Sequence, residues 1–196
     1  MAPSRSTPST RQRLIDGAMD TVRTHGIAGA SARTIAGTAG VNQALIFYHF
    51  TSVDDLLAEA CRMRAAERVE QYRERFASVT SLAELLTLGR EIHATERELG
   101  NVTVLAQLLA GARANAKLAA GTRAALREWT VEVDQVLSRL LAGSPLAGLV
   151  DPAGLASVVS AGFVGLELWE AADPDGAEAG LGALERLGQI VETLGR

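Results

Sequence analysis

The hydrophobic and polar positions of this chain recur with the period of an α-helix over most of its length. The first apolar stripe lies between Ser9, which can cap a helix together with Gln12, and Gly26, which can end one. The stripe consists of Leu14, Ile15, Ala18 and Val22. We therefore predict a first helix between Ser9 and Gly26, with one buried face.

The next two stretches predict a pair of short helices joined by a tight turn. Ser31 can cap a helix that runs to about Ala39, and Gly40 can adopt the left-handed conformation that ends it. Asn42 can then cap a helix of barely two turns, from Gln43 to about His49. Apolar residues at helical spacing would bury one side of this pair: Ile35, Ala36, Ala39, Val41, Ile46 and Phe50.

The opposite face of the second short helix carries side chains that suit DNA: Asn42, Gln43, Ala44, Phe47 and Tyr48. An amide can pair with an adenine edge, a small apolar group can contact a thymine methyl, and a phenol can reach a phosphate. Two short helices after a supporting first helix are the arrangement that places one helix in the major groove of double-stranded DNA.

Four short motifs in this region stand at fixed offsets: Thr34-Ile35-Ala36, Ala39-Gly40-Val41, Phe47-Tyr48-His49-Phe50 and Leu56-Leu57. Over residues 9–57 they resemble the helix-turn-helix of TetR-type (tetracycline-repressor-like) transcriptional regulators. The resemblance implies DNA contacts by a set of eight residues: Arg33, Thr34, Asn42, Gln43, Ala44, Phe47, Tyr48 and His49. The chain departs from the family at three positions. The family often has a basic residue where this chain has Gln43 and a small hydroxylated residue where it has Leu45. It often has a lysine that binds a phosphate where this chain has Val53.

Helical spacing continues through the rest of the chain. Later segments with this pattern are 52–75, 81–95, 99–116 and 122–141. Ser52 with Asp55 and Ser81 with Glu84 form capping boxes. The segment 99–116 is nearly uncharged around Leu105, Leu108 and Leu109, so we predict one long buried helix there.

Two apolar helices end the chain. Asp151 followed by Pro152 is a preferred helix start, and apolar and small residues keep helical spacing as far as Trp169. Residues 173–176 break the chain before a last helix that carries Leu181 and Leu184. The two helices either form a hairpin in one core or pair with their copies in a second chain. We favour the homodimer, because two half-sites about one turn of DNA apart supply more bases than one short helix can read.

The composition favours helices, since 47% of residues are hydrophobic while only 4% are aromatic, which leaves an aliphatic core. We predict an all-α fold, with an N-terminal three-helix DNA-binding unit followed by a helical ligand-binding and dimerisation domain. The expected boundaries are a disordered arm at 1–8, the DNA-binding domain at 9–50 and the regulatory domain at 51–196.

Charge and targeting signals add two expectations. The net charge is −4, yet residues 1–50 carry five Arg and two acidic residues, so a basic head precedes an acidic body. One cysteine, Cys61, cannot form an intramolecular disulfide. The N-terminus has no apolar signal region, and the uncharged run 152–166 is short for a bilayer. We expect a cytoplasmic protein that does not enter a membrane.

The resemblance also implies a pocket for a small, largely apolar effector within the central helices. Polar or aromatic residues among apolar runs are the candidates for its lining: His93, Gln107, Arg113 and Trp129. Each has a plain alternative. His93 and Gln107 can be satisfied by neighbouring groups, Arg113 can be a surface charge, and Trp129 can fill the core.

Other classes of function have less support in the sequence. His25, His49 and His93 lie far apart, and neither metal-ligand spacing nor a Gly-rich phosphate loop occurs. We expect no enzyme activity, no catalytic residues, no bound metal and no cofactor. The hypothesis is a ligand-responsive repressor that binds a palindromic operator as a dimer; the alternative is a helical protein-interaction or small-molecule-binding module that has lost DNA binding.

Overall fold

The computed structural model of the chain describes residues 8–142 and 148–194, and every regular element in these ranges is helical. The helices are α1 (Thr10–His25), α2 (Ala32–Ala39), α3 (Ala44–His49), α4 (Val53–Ser78), α5 (Leu82–Glu98), α6 (Asn101–Ala112), α7 (Ala116–Ala142), α8 (Pro152–Glu170) and α9 (Pro174–Leu194), with a 3-10 turn at Ile27–Gly29. The all-α prediction is confirmed. Of the predicted N-terminal arm, residues 1–7 lie outside the described residues.

The described chain divides into two compact units. The first contains residues up to Arg64 together with Thr103–Ala125, and the second contains Ala65–Val102 together with the residues from Leu126 onward. The segment Thr103–Ala125 therefore packs with the N-terminal helices, a long-range arrangement that no local feature of the sequence indicated.

The core of the first unit is built on α1. Its predicted stripe is confirmed, because all four side chains are fully buried: Leu14, Ile15, Ala18 and Val22. Burying one such aliphatic side chain contributes ~1.5–3 kcal/mol relative to leaving it in water. The Ser9 hydroxyl accepts from the Gln12 backbone N–H at 3.2 Å, but the Gln12 amide bonds Asp16 and leaves the capping box half formed.

The predicted helix over 99–116 is wrong at both ends. Gly100 has a φ of 72°, so α6 begins only at Asn101, and Leu99 is exposed. Asn115 then starts a new helix, because its side-chain oxygen accepts from the backbone N–H groups of Lys117 and Leu118, at 3.0 and 3.1 Å. As a result α7 begins at Ala116, earlier than the predicted Thr122.

The second unit has an aliphatic and aromatic core, and the buried carboxylate of Glu96 is held by several neighbouring side chains. Core residues come from α4, α5, α7 and α8 and include Tyr72, Phe76, Leu88, Val136 and Ala156. The Glu96 carboxylate accepts hydrogen bonds from Arg68 Nε at 2.8 Å, from the Tyr72 hydroxyl at 3.1 Å and from the Asn101 amide at 2.7 Å. This group of side chains ties α5 to α4 and to the first residue of α6.

The helix α8 is long and apolar, but only a small part of it is buried. An 18-residue window of this 19-residue helix has a mean hydropathy of 1.3, so by length and composition the helix could cross a membrane. The uncharged run 152–166 ends where expected, and the helix reaches this length because it continues through Glu167 to Glu170. Glu167 and Glu170 in its last turns pair with side chains of α5, as in a helix that packs on protein.

We predict that Gly121→Ala destabilises the first unit. A methyl group at this position of α7 would lie 2.6 Å from both the Cα and the carbonyl oxygen of Ala58 in α4, so the two backbones must separate. Such overpacking costs ~1–3 kcal/mol, which thermal unfolding followed by circular dichroism would detect. Gly37→Ala in α2 is the control, because nothing lies within 4 Å there and the change should stabilise the helix by ~0.5–1 kcal/mol. Equal stability of the two variants would contradict the close approach.

Candidate nucleic-acid interface

The turn between α2 and α3 has the predicted geometry. Gly40 is left-handed, with φ 62° and ψ 39°, and it ends α2. At the other end of α2, Ser31 and Thr34 form a capping box in which each side-chain oxygen accepts from the backbone N–H of the other residue, at 3.2 and 2.9 Å. Both ends of this eight-residue helix are therefore fixed by local hydrogen bonds.

The helix α3 follows at once and is anchored on one side. The Asn42 side-chain oxygen accepts from the Ala44 backbone N–H at 2.8 Å, so Asn42 caps the helix as predicted, and the helix begins one residue later than expected. Ile46 is fully buried and Phe50 nearly so. The predicted buried face is confirmed, and it fixes which side of α3 points outward.

The outward side of α3 carries the predicted reading residues. Tyr48 is 80% exposed and Phe47 56% exposed, an uncommon state for large aromatic side chains in a folded chain. Asn42, Gln43 and Ala44 are exposed at the start of the helix. Six of the eight predicted DNA-contacting residues therefore lie on α3 or directly before it.

The remaining features of this surface are its aromatic edge and α2. The half-buried His49 ring contacts the Tyr48 ring edge-on, with centroids 5.0 Å apart, and so restricts the position of the tyrosine side chain. Arg33 is exposed in the first turn of α2. Thr34 is also exposed, but its hydroxyl donates to the Gly29 carbonyl at 2.7 Å and is already used inside the fold.

Two arginines near the start of α1, a residue type that commonly contacts phosphate, are used within the protein instead. Arg13 donates to the carbonyl oxygens of Ala39 and Gly40, at 2.9 and 2.6 Å, and so binds the free C-terminal end of α2. Arg11 pairs with Glu59 at 2.8 Å and stacks on the Phe50 ring. No sequence signal distinguishes such arginines from phosphate-binding ones, because their partners lie 26 or more residues away.

Residues 14–60 match the sequence profile of the family described as bacterial regulatory proteins, tetR family. The chain belongs to the TetR family. The match begins at Leu14, the first fully buried residue of α1, and ends at Ala60 in α4, so it covers the helices that support and contain the helix-turn-helix. The protein is accordingly a transcriptional regulator of this family.

Three relatives show how far the similarity extends. An uncharacterised HTH-type transcriptional regulator of Mycobacterium tuberculosis is 27% identical over 139 residues, 69% of each chain. The HTH-type nicotine-responsive transcriptional repressor HdnoR of Paenarthrobacter nicotinovorans is 41% identical over 66 residues, 34% of this chain and 32% of its own. The crystal structure of the multidrug binding protein EbrR complexed with imidazole is 29% identical over 92% of this chain and 96% of that one, with a TM-score of 0.67.

The four residues predicted to line an effector pocket of this TetR-family chain are divided between the two units. Gln107 and Arg113 lie in the first unit, where the Gln107 side-chain oxygen accepts from the Ile27 backbone N–H at 3.2 Å and Arg113 is exposed. Trp129 lies in the second unit against the Tyr72 ring, 5.9 Å between centroids. Only His93 lines the cavity described next.

The cavity has a volume of about 170 Å³ and lies between α5, α8 and α9 of the second unit. His93, only 7% exposed, is held there between two carboxylates of α8: Nε2 lies 2.7 Å from Glu170 and Nδ1 lies 3.3 Å from Glu167. The hydrogen bond to Glu167 raises the pKa of His93 above its ordinary value, against the effect of burial, and the bond to Glu170 adds to it. Sequence reasoning missed both glutamates, although they are the only acidic residues of an otherwise apolar helix.

Catalytic chemistry finds little support in the described residues. Burial raises the pKa of the Cys61 thiol to about 11, so the nucleophilic thiolate is scarce at neutral pH. Within residues 8–142 and 148–194, no group of three or more His, Cys, Asp and Glu side chains is placed to hold a metal ion.

We predict that Arg13→Gln weakens DNA binding without changing its salt dependence. The guanidinium holds the end of α2 by two charge-assisted hydrogen bonds, and losing them frees the turn that orients α3. Specific affinity should fall by about tenfold, corresponding to ~1.4 kcal/mol, while the slope of log affinity against log salt stays constant. Fluorescence anisotropy of labelled DNA at several salt concentrations measures both quantities.

Arg23→Gln is the matched control, because it removes a guanidinium at the other end of α1 that pairs with Asp20. Affinity and slope should both remain those of the parent. A decrease of about one in the slope for Arg13→Gln would show instead that this side chain neutralises a phosphate.

Proposed function

We propose that this TetR-family regulator is a ligand-responsive repressor that binds a palindromic operator as a homodimer. The observation that carries the proposal is the exposed face of α3, where two large aromatic side chains project beside an exposed amide and a methyl group. Because these groups are already exposed, no packing is lost when they enter a major groove. There they can contact base edges, thymine methyls and phosphates. The alternative, a protein-interaction module that has lost DNA binding, does not explain why these aromatic, amide and methyl groups are exposed together on α3.

In this proposal the functional division is the one expected from sequence, and it differs from the packing, in which Thr103–Ala125 belongs to the first unit. An N-terminal arm (1–8) precedes a DNA-binding domain (9–50) and a regulatory domain (51–196). The α3 helix reads bases through Gln43, Ala44 and Phe47, while Tyr48 and His49 reach the phosphates. Arg33 and Thr34 approach the backbone from the first turn of α2. The protein works in the cytoplasm and has no enzymatic role.

The dimer would form through α8 and α9. Val158 and Trp169 of α8 are 68% and 61% exposed, and Leu168 is exposed beside them. Between them, a methyl group added at Gly162 or Gly165 would meet no atom within 4 Å, so this stretch of the helix surface is open. On α9, Leu184 and Ile190 are exposed as well. Apolar groups around small residues suit a close helix–helix contact, and a second copy of the chain presents the matching surface.

The effector would act by selecting among conformations of the dimer. HdnoR is described as nicotine-responsive, and EbrR was crystallised with imidazole, so both relatives are linked to small nitrogen-containing molecules. By analogy we propose that a small molecule binds the regulatory domain and favours dimers whose two α3 helices no longer fit successive major grooves. The lining of the cavity at His93 is more charged than the largely apolar ligand expected from sequence requires.

Substitutions on α3 test the assignment of base and phosphate contacts. Gln43→Ala should relax base preference at one position in each half-site by ~1–3 kcal/mol, because an amide–base pair is lost. Tyr48→Ala should weaken every DNA sequence about equally. Binding-site selection from a random duplex pool, followed by affinity measurement on single-base variants, separates the two effects. If Gln43→Ala weakened binding to every DNA sequence equally, Gln43 would not read a base. If Tyr48→Ala left DNA affinity unchanged, Tyr48 would not contact a phosphate.

A charge on α8 tests the dimer. Val158→Glu places a carboxylate in the proposed interface, and burying it unpaired costs several kcal/mol, so sedimentation equilibrium should show a monomer. Operator affinity should fall with it, since one protomer contacts one half-site. Leu149→Glu is the control, because Leu149 is exposed outside any helix. A Val158→Glu protein that remains dimeric, or a parent protein that is monomeric or floats with lipid vesicles, would contradict this interface.

A further inference from the structure

We propose that the cavity between α5, α8 and α9 binds a small organic cation, which takes the place of the proton on His93. The inference rests on the proposed regulatory function and gives its effector a chemical class. It follows from the number of hydrogen-bond donors on an imidazole, the charges around the cavity, and the size and walls of the space.

The donor count shows that the cavity already holds one positive charge. Both ring nitrogens of His93 face carboxylate oxygens, Glu170 at 2.7 Å and Glu167 at 3.3 Å. A neutral imidazole has a single N–H and can donate to only one of them. The arrangement is complete only with the imidazolium, so the proton on His93 is the cation that the two carboxylates of α8 hold.

The other charged groups near the ring pair with one another and leave one carboxylate in excess. Arg97, on the same helix as His93, pairs with Glu170. Arg90, one turn before His93, pairs with Glu178 and Glu185 of α9. Glu167 has His93 as its ionic partner. When His93 loses its proton, three glutamates of the cavity lining remain beside two arginines, and Glu185, the second partner of Arg90, raises the excess of carboxylates from one to two.

This excess of carboxylates favours a positively charged ligand over a negatively charged one. A negatively charged ligand would have to displace a carboxylate from Arg90 or Arg97, because both guanidinium groups are already paired. A cation instead meets Glu167, whose side chain is only 14% exposed and therefore poorly screened by water. A cation and the His93 proton are alternatives, since both satisfy the same two carboxylates.

The volume of the cavity and the residues that line it narrow the chemical class of the ligand further. The space of about 170 Å³ is smaller than the ~300–1,000 Å³ of sites for drug-sized molecules, so the ligand has few non-hydrogen atoms. Phe163, Leu166 and Leu181 supply an apolar wall, and an aromatic ring also attracts a cation to its face. A small ammonium ion with alkyl groups fits both the wall and the carboxylates.

The test uses choline as the probe and its uncharged isostere 3,3-dimethylbutanol as the control ligand. Isothermal titration calorimetry on the full chain should show that choline binds and that the isostere does not. Since the His93 proton competes, choline affinity should rise about tenfold per pH unit below the pKa of His93 and level off above it. A range from about pH 5.5 to about pH 8.5 spans the ordinary titration of histidine.

Three variants assign the effect to residues. Glu167→Gln removes the carboxylate and should weaken choline at least about tenfold at high pH. His93→Gln removes the competing proton, so choline should bind with an affinity that no longer depends on pH. Glu91→Gln, an exposed carboxylate of α5 that pairs with Arg75 rather than facing the cavity, should behave as the parent.

Equal binding of the isostere, no binding of choline at high pH, or a pH dependence that survives in His93→Gln would each overturn the inference. DNA binding is measured separately by anisotropy. Failure of the cation site alone leaves DNA binding intact, whereas loss of specific DNA binding in the parent protein contradicts the proposed function whatever choline does. Choline bound at the site should also lower operator affinity, and a bound cation without that effect would contradict its role as effector.

Discussion

The recognition helix has only six residues, and a helix of that length has no stability of its own in water. Its position depends on what holds its ends and its inner face. Ile46 is fully buried, and Phe50 closes the helix against the same core. The left-handed Gly40 sets the direction in which α3 leaves α2, and Arg13 fixes the carbonyls at that point. The first unit is thus a scaffold whose function is to orient one outward face.

The second unit differs from the first in that carboxylate and imidazole side chains are buried in its interior. Glu96 and His93 are both largely buried, and each has several partners. Buried ion pairs contribute little net stability, since desolvation offsets most of the attraction, but a broken one is costly. Such groups make the packing of α5 against α4 and α8 depend on charge state. A unit built this way is suited to respond to a proton or a charged ligand, whereas a wholly aliphatic core is not.

Local signals in the sequence predicted most of the fold. Four serines and one aspartate were correctly assigned as helix caps, because a cap acts over three residues: Ser9, Ser31, Ser52, Ser81 and Asp151. The break between α6 and α7 was placed after residue 116 instead of at Asn115, because Asn115 stands between two alanines that can continue a helix. Arg13 and the cavity at His93 were missed for another reason: their partners are distant in sequence, Ala39 in one case and Glu167 in the other. Periodicity shows that a face is buried, but it does not say against what.

The start of α4 bears on how the proposed DNA complex is held. In the resembled family a lysine stands where this chain has Val53, and the next two residues here are Asp54 and Asp55. Hydrogen bonds from Lys117 and Ser52 to the Asp55 carboxylate lower its pKa, so this carboxylate is charged. The Asp55 backbone N–H in turn donates to the Ser52 hydroxyl at the helix start. The carboxylates of Asp54 and Asp55 repel a phosphate there and offset the attraction of the helix N-terminus. With this contact missing and Arg11 and Arg13 used internally, the proposed complex relies more on the proposed base contacts of α3 and the proposed pairing of two protomers, and less on the DNA backbone. Such a regulator gains little from non-specific DNA, and whatever changes the spacing of its two recognition helices has a correspondingly large effect.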